Sequence, residues 1–394
     1  MNKLEKNKPN NELENNAPEH NASDEKNRIY REQDGFETTQ AAGDRKSSGH
    51  GKTGTPVRIL AVETSCDETS VAIVENGRKV LANVVSSQIK IHQKFGGVVP
   101  EVASRKHVET ITWIIEQALD QADLKLHELS AIAVTQGPGL VGSLLVGVVA
   151  AKALALAAGL PFIGVHHIAG HIYANRLVHE MEYPLLALVV SGGHTELVLM
   201  REEGRFEIIG QTRDDAVGEA YDKVARALDM PYPGGPHVDR LAQQADVAIP
   251  LPRAWLEPDS YDFSFSGLKT SVLAVLNQAS MKGEHVEPAQ LARGFQEAAI
   301  DVLVTKSLRA CREYGAKQLV LAGGVAANQG LRAELARRCE AEGIPLLVPP
   351  LELCTDNAAM IAAAAFLKWD QGRYAPLDLK AEPLLSLERW AEGP

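Results

Sequence analysis

Val165-His166-His167-Ile168-Ala169-Gly170-His171 is the seam of this sequence: the residues before it read as one α/β half, and those after it repeat the same grammar. If residues 167–173 are helical, His167 and His171 at i and i+4 share one face with Cβ atoms roughly 5–6 Å apart. Two imidazole nitrogens can then close on one cation. A divalent transition ion bound at about 2.0–2.2 Å needs at least one further protein ligand, so the pair alone does not make a site. In a chain with 12 histidines it also reads as two histidines on a helix surface.

On the N-terminal side of the seam, residues 57–62 read as a buried strand, 63–69 as a polar loop and 70–74 as a strand. Asn76-Gly77 then makes a hairpin turn into a third strand at 79–85. On the C-terminal side the pattern returns: a strand at 185–190, the loop Ser191-Gly192-Gly193-His194-Thr195, a strand at 196–200, a turn at Glu203-Gly204 and a strand at 206–209. Each meander is followed by a helix (101–121, then 291–314) and a strand (131–134, then 319–322). That strand runs into glycines, Gly137-Pro138-Gly139 or Gly323-Gly324, and a further helix. Two such copies imply a duplicated α/β fold, with a charged ligand expected in the cleft at the carboxyl ends of the strands. Residues 344–348 read as a short strand, 358–368 as an Ala-rich helix, and the last twenty or so as a segment wrapping the surface.

A length of 394 residues and an apolar share of 45% support two cores of ordinary size. Residues 1–56 are rich in Asn, Glu, Lys, Ser and Gly, cannot bury enough apolar area to offset their ordering entropy, and are expected to be disordered. The apolar run at 140–160 is cut by Gly142, Ser143, Gly147 and Lys152, so no membrane span is indicated. With no apolar signal region at the N-terminus either, a cytoplasmic location is expected. Cys66, Cys311, Cys339 and Cys354 form no Cys-x-x-Cys and read as reduced thiols. Acidic neighbours would raise the Cys66 thiol pKa, which argues against a nucleophile there. A formal charge of −11 argues against non-specific nucleic-acid binding. Contact with RNA would need a local basic patch or a partner's surface.

Several residues could carry chemistry. Glu63, Asp67 and Glu68 crowd one loop at a strand end, where carboxylates suit a general base or a cation-mediated grip on phosphate; the bland reading is a solvated acidic turn. Ser191-Gly192-Gly193, Pro233-Gly234-Gly235-Pro236 and Ala322-Gly323-Gly324 offer backbone N–H groups to a phosphate or acyl phosphate. Gly137-Pro138-Gly139-Leu140-Val141-Gly142 satisfies Gly-x-Gly-x-x-Gly, but it follows the wrong strand for dinucleotide binding, and no P-loop motif is present. Asp356, just before the Ala-rich helix, reads on spacing as an N-cap, with a third ligand for the histidine pair as the alternative.

Taken together the motifs identify a family. Glu63-Thr64-Ser65-Cys66-Asp67-Glu68-Thr69, Phe95-Gly96-Gly97-Val98-Val99-Pro100-Glu101, the 166–171 stretch, Val190-Ser191-Gly192-Gly193-His194-Thr195, Tyr232-Pro233-Gly234-Gly235-Pro236, Phe263-Ser264-Phe265-Ser266-Gly267-Leu268-Lys269-Thr270 and Cys354-Thr355-Asp356-Asn357 closely resemble the bacterial tRNA adenosine threonylcarbamoyltransferases, the TsaD family. The resemblance runs from about Arg58 to Leu367. It implies an α/β fold of the actin/Hsp70/sugar-kinase (ASKHA) kind, two RNase H-like lobes with a cleft between them. The lobes would be 57–164, completed by 353–394, and 165–352, with an irregular insertion near 243–261.

It further implies transfer of a threonylcarbamoyl group from threonylcarbamoyl-AMP to the exocyclic amine of adenosine 37 in tRNAs reading codons that begin with A. His167, His171 and Asp356 match the family's metal ligands, for Fe(2+) in the first place and Zn(2+) as the alternative. Val189, Val190, Ser191, Gly192, Gly193, Asp222, Gly235, Asp239 and Asn328 match its substrate-binding positions, and Asp67 and Glu68 its acidic pair. Implied partners are tRNA, a paralogous non-catalytic (TsaB-like) subunit and a small (TsaE-like) ATPase. The rival enzyme readings are an ATP-dependent kinase or ATPase of the same superfamily and, behind it, a metallopeptidase. The latter is disfavoured by Ile168 standing where His-Glu-x-x-His enzymes keep a glutamate.

Overall fold

The structure, a computed structural model, describes residues 55–393, so all but the last two residues of the segment expected to be disordered lie outside the described residues. The first lobe opens with Arg58–Glu63 (β1), Glu68–Glu75 (β2) and Lys79–Ser87 (β3), an antiparallel meander. Asn76 and Gly77 turn it at φ 53° and 69°, the positive values that tight hairpin turns of this hand require. Ile89–His92 (α1) runs into a single 3₁₀ turn, Gln93–Phe95. Pro100–Ala122 (α2) starts on a proline that needs no N–H partner there. Ala131–Gly137 (β4), Val141–Ala158 (α3) and Phe162–His166 (β5) complete a sheet of order β3-β2-β1-β4-β5.

The second lobe begins with His167–Tyr173 (α4), then the meander Leu185–Val190 (β6), Thr195–Met200 (β7) and Phe206–Gln211 (β8). Four helices come next: Val217–Ala227 (α5), Gly234–Ala242 (α6), Ser266–Lys282 (α7) and Pro288–Tyr314 (α8). Gln318–Ala322 (β9), Gln329–Glu342 (α9) and Leu346–Leu347 (β10) finish a sheet of order β8-β7-β6-β9-β10. Strand for strand this repeats the first sheet, with β4 parallel to β1 as β9 is to β6. Ala358–Asp370 (α10) and Leu387–Glu392 (α11) end the chain.

α4 and α10 share one apolar core with residues of both sheets, Ile59 and Ala61 of the first and Ala187 and Val189 of the second among them. Eight consecutive residues of α10, from Ala358 to Ala365, are wholly buried. Six of them are alanines, whose small side chains let the helix sit close against β1 and β2. The opposite face of the first sheet is covered by α2 and α3, that of the second by α5 to α9.

Some elements depart from the sequence reading. β5 goes unread because it is five residues with a central glycine directly after an Ala-rich helix. α5, α6 and α7 also go unread, although Val217, Ala220, Tyr221, Val224 and Ala225 carry a helical apolar stripe and are all buried. Residues 243–261 hold no helix or strand. The final segment does more than wrap the surface: Leu385, Leu387 and Trp390 enter the core, and the Trp390 indole N–H donates to Gly164 O (2.8 Å). Lys368 Nζ in turn donates to Trp390 O (2.7 Å). α3 is the one described helix with the length and apolarity of a membrane span, and it packs along β4 and α2.

Candidate metal centre and transfer site

The turn from β5 into α4 delivers the histidines. His166 caps α4, its Nδ1 accepting from Ile168 N (3.1 Å), and its Nε2 donates to Leu385 O (2.9 Å). This pins the first turn, so His167 and His171 project together from the buried face, ring centroids 4.6 Å apart. Asp356 arrives from the start of α10, its Oδ1 3.2 Å from His171 Nε2 and 3.5 Å from His167 Nε2. The helix cap expected of Asp356 is made instead by Asn357, whose side chain accepts from Met360 N (3.1 Å). Asp356 is thereby left facing the histidines.

One ligand atom from each of the three lies within 4.8 Å of the others, as donors around a cation at about 2.0–2.2 Å must. His171 Nε2 is shielded from water and makes no well-formed hydrogen bond among the described residues, only its 3.2 Å approach to Asp356 Oδ1, which is costly for a buried polar group. A cation between these donors removes that cost, so the residues fit one.

Behind His167 stands Glu63, which sequence reasoning left as one of three loop acids. It is wholly buried, and its Oε2 takes the His167 Nδ1 proton (3.0 Å) and the Thr135 hydroxyl (2.6 Å). Its Oε1 takes the Ser65 N–H (2.5 Å). With one proton held on Nδ1 by Glu63, Nε2 is the nitrogen turned to Asp356, free to ligate an ion there once its own proton has left. The usable signal was position: a carboxylate closing an otherwise apolar strand has to be paired.

Burial pulls the His167 imidazole down, but the carboxylates of Asp356 and Glu63 outweigh it and lift its pKa to about 9. Burial likewise pushes Asp356 up, and the two histidines reverse this, holding it at about 2. Burial lowers His171 toward the neutral form. Two carboxylates thus face one imidazolium, a net negative cluster suited to a cation.

Asp67 and Glu68 lie beside this cluster. Burial first, then the charge of Asp67, pushes the Glu68 carboxyl well up, and Glu68 hydrogen bonds Asp67. Glu68 Oε1 also accepts from Ser87 Oγ (3.0 Å). Burial and the same acids push the Cys66 thiol up, as expected of a non-nucleophile. Tyr232 of the second lobe faces the pair as well, its phenol raised by burial and then by Asp67 and Asp222.

In the second lobe the loop after β6 lies close to the histidines. Burial, then His167 and His171, lowers His194 to about 4. Gly192 and Gly193 are exposed, a Cβ on either would meet nothing within 4 Å, and among the described residues their N–H groups have no partner. Gly235 borders open space too, and Asp222 accepts from Gly234 N (2.6 Å) to shape that turn. Val189 and Val190 are wholly buried in the two cores, so only their backbone can meet a ligand.

Asp239 and Asn328 are 6% and 8% exposed and are engaged by the protein itself. Asp239 accepts from Gln329 N (2.9 Å) and Gln296 Nε2 (3.0 Å), while Asn328 caps α9 through Leu331 N (2.8 Å). They hold the α9 N-terminus in place at the floor of this lobe.

The family model described as TsaD, tRNA N6-adenosine threonylcarbamoyltransferase, matches residues 79–363. The chain is 63% identical over 331 residues to the protein of that name from Bacillus cereus, covering 84% of this chain and 96% of the relative. It is 63% identical over 332 residues to the one from Geobacillus kaustophilus, covering 84% and 97%. Among solved structures, HypF of T. kodakarensis overlays with a TM-score of 0.55 at 16% identity, covering 83% of this chain and 50% of that one. Full-length HypF in its phosphate- and nucleotide-bound form gives 0.53 at 14%, covering 80% and 46%. At such identities the two bear on the fold alone.

Proposed function

The chain belongs to the TsaD family of tRNA N6-adenosine threonylcarbamoyltransferases and shares its two-lobed ASKHA fold, and from that premise we propose how its residues divide the work of modifying tRNA. The enzyme transfers a threonylcarbamoyl group to N6 of a tRNA adenosine. In our reading the donor is threonylcarbamoyl-AMP and the acceptor adenosine 37 of tRNAs reading codons that begin with A. The observation that carries the site assignment is the meeting of His167, His171 and Asp356, remote in sequence, within 4.8 Å.

Two imidazoles and a carboxylate with positions left open are the donor set of Fe(2+) sites, and Zn(2+) accepts them too. Iron is our assignment and zinc the alternative. Such an ion, when bound, supplies Lewis acidity toward a carbonyl or phosphate oxygen of the donor. Gly192 and Gly193 offer their free N–H groups to negative charge developing on the donor. Asp222 supports the Gly235 turn that borders it. Burial and the charge of Asp67 favour the protonated form of Glu68, and we assign to Asp67 the proton of the attacking amine. The bond from N6 to the carbamoyl carbon forms, the bond from that carbon to the phosphate oxygen breaks, and AMP leaves as the anion.

The charge of −11 supports a grip on tRNA shared with partners, a TsaB-like paralogue and a TsaE-like ATPase. So does the exposed apolar row Val141, Leu145, Val149 and Leu156 on α3, a face that a folded partner would cover. We assign the protein to the cytoplasm. The test is single-turnover transfer with Asp67→Asn and Glu68→Gln made separately. We expect a loss of about 10²–10⁴-fold for Asp67→Asn, with AMP and modified tRNA as products. Full transfer by Asp67→Asn would remove the base assignment, and ADP as the product would restore the kinase reading.

A further inference from the structure

Beside Asp67, at the mouth of the cleft, lies a cationic and aromatic surface that the transfer chemistry leaves unused. We propose that α1 and the turn after it form the platform that seats the anticodon loop, Phe95 stacking on a loop base and Lys90 and Lys94 meeting phosphates. The inference rests on the reading of the chain as a tRNA-modifying transferase.

Phe95 is 58% exposed, an unusual position for a phenylalanine. Lys90 and Lys94, at i and i+4, are exposed, and so is Arg105 at the start of α2. None of the three has a carboxylate partner among the described residues, whereas Arg58, Arg176, Arg213 and Arg338 are all ion-paired. In a chain of formal charge −11, unpaired lysines on the same short segment as an exposed aromatic ring are the local basic patch that phosphate contact requires. An exposed ring amid cations is also the usual combination for gripping unpaired bases, which stack on any π face.

The platform is built into the acidic loop rather than hung on it. Gln88 N donates to Asp67 O (3.1 Å), and Ser87 Oγ donates to Glu68 Oε1 (3.0 Å). His107, wholly buried, donates from Nε2 to Cys66 O (2.9 Å). His92, equally buried, accepts from Val99 N at Nδ1 (3.2 Å) and from Gly97 N at its carbonyl (3.3 Å). Gly96, next to Phe95, takes a left-handed φ of 70°, and its carbonyl accepts from Arg226 Nη2 of the second lobe (2.6 Å). A base stacked on Phe95 is therefore held at a fixed offset from the carboxylates, on a surface joined to both lobes.

The experiment is the complete transfer reaction with the full metal-loaded chain, its partner proteins and threonylcarbamoyl-AMP, reading kcat, KM for tRNA and tRNA affinity across a salt series. Phe95→Ala should weaken tRNA binding about 5- to 100-fold, with Phe95→Tyr restoring it. Lys90→Ala with Lys94→Ala should lower the slope of log affinity against log salt by about 1.5. Affinity for threonylcarbamoyl-AMP alone should not move in either. Unchanged tRNA affinity and salt slope in both variants would overturn the platform while leaving the transferase reading intact. So would loss of a protein partner in place of tRNA. A wild-type chain that modifies no tRNA would overturn the transferase reading first and the platform with it.

Discussion

Each lobe joins its first two strands by a turn at the same place in the same topology, and the two turns have opposite characters. The turn of the first lobe, from Glu63 to Glu68, is acidic and largely buried, and Glu63 alone holds Ser65, Thr135 and His167. The turn of the second, Ser191 to His194, has two exposed glycines with free N–H groups and open space above them. Duplication supplied one frame twice. Divergence made one turn a buried cluster of carboxylates packed against His167, to which we assign the metal-orienting and proton-accepting work, and the other an open loop whose free N–H groups suit negative charge. The cleft is polarised because its walls are copies that drifted apart at equivalent positions.

That contrast can be broken from either side. The largest effect is expected from Asp356→Ala, which removes a carboxylate from both histidines. Metal analysis should find the ion lost, and transfer should fall about a thousandfold, matching several kcal/mol of lost charge stabilisation. Next comes Glu63→Gln, which keeps the shape and removes the charge behind His167. Metal affinity should drop about 10- to 100-fold with the circular dichroism spectrum unchanged, and undiminished metal affinity would mean that Glu63 only fills space.

On the opposite wall, Gly192→Ala should raise the dissociation constant for threonylcarbamoyl-AMP about tenfold, near 1.4 kcal/mol, without lowering the melting temperature, because no atom lies within 4 Å of the added Cβ. Gly323→Ala should do the reverse. Its φ is 91° and its Cβ would meet Val190 O at 2.4 Å, so stability should fall by about 1–3 kcal/mol. Equal melting temperatures for the two variants would refute the division between cradle and frame.

The smallest effect is on pH dependence. Burial, then the charge of Glu388, raises Glu196 on β7 to about 7. The folded state therefore binds this proton more tightly than the unfolded chain does, and the group's contribution to stability falls as pH rises from about 4.5 to about 7. Glu196→Gln should leave stability at pH 4 unchanged and add on the order of 1 kcal/mol above pH 7, read by denaturant unfolding at both pH values.

Much of this was legible in the chain. The repeated meanders stood out because strands of apolar residues and glycine turns obey short-range rules, and the His167/His171 pair because helical spacing is local. Asp356 entered the ligand set only through the family resemblance: its own neighbourhood argues for a cap, and only the fold shows that Asn357 takes that duty. Glu63 was visible as an acid, but its partners come from 72 and 104 residues away, and no local pattern encodes that. Trp390 was hidden for the same reason, its indole answering to Gly164 across 226 residues.

The proposed third ligand has a consequence for biogenesis. His167 and His171 leave the ribosome long before Asp356, and α10, which carries Asp356 into place, is among the final elements to be made. A nascent chain lacking that helix has the imidazoles but neither the last donor nor the core that buries them. On the metal assignment proposed above, loading of the ion awaits translation of almost the whole polypeptide, and a product that stops short of α10 has no complete donor set.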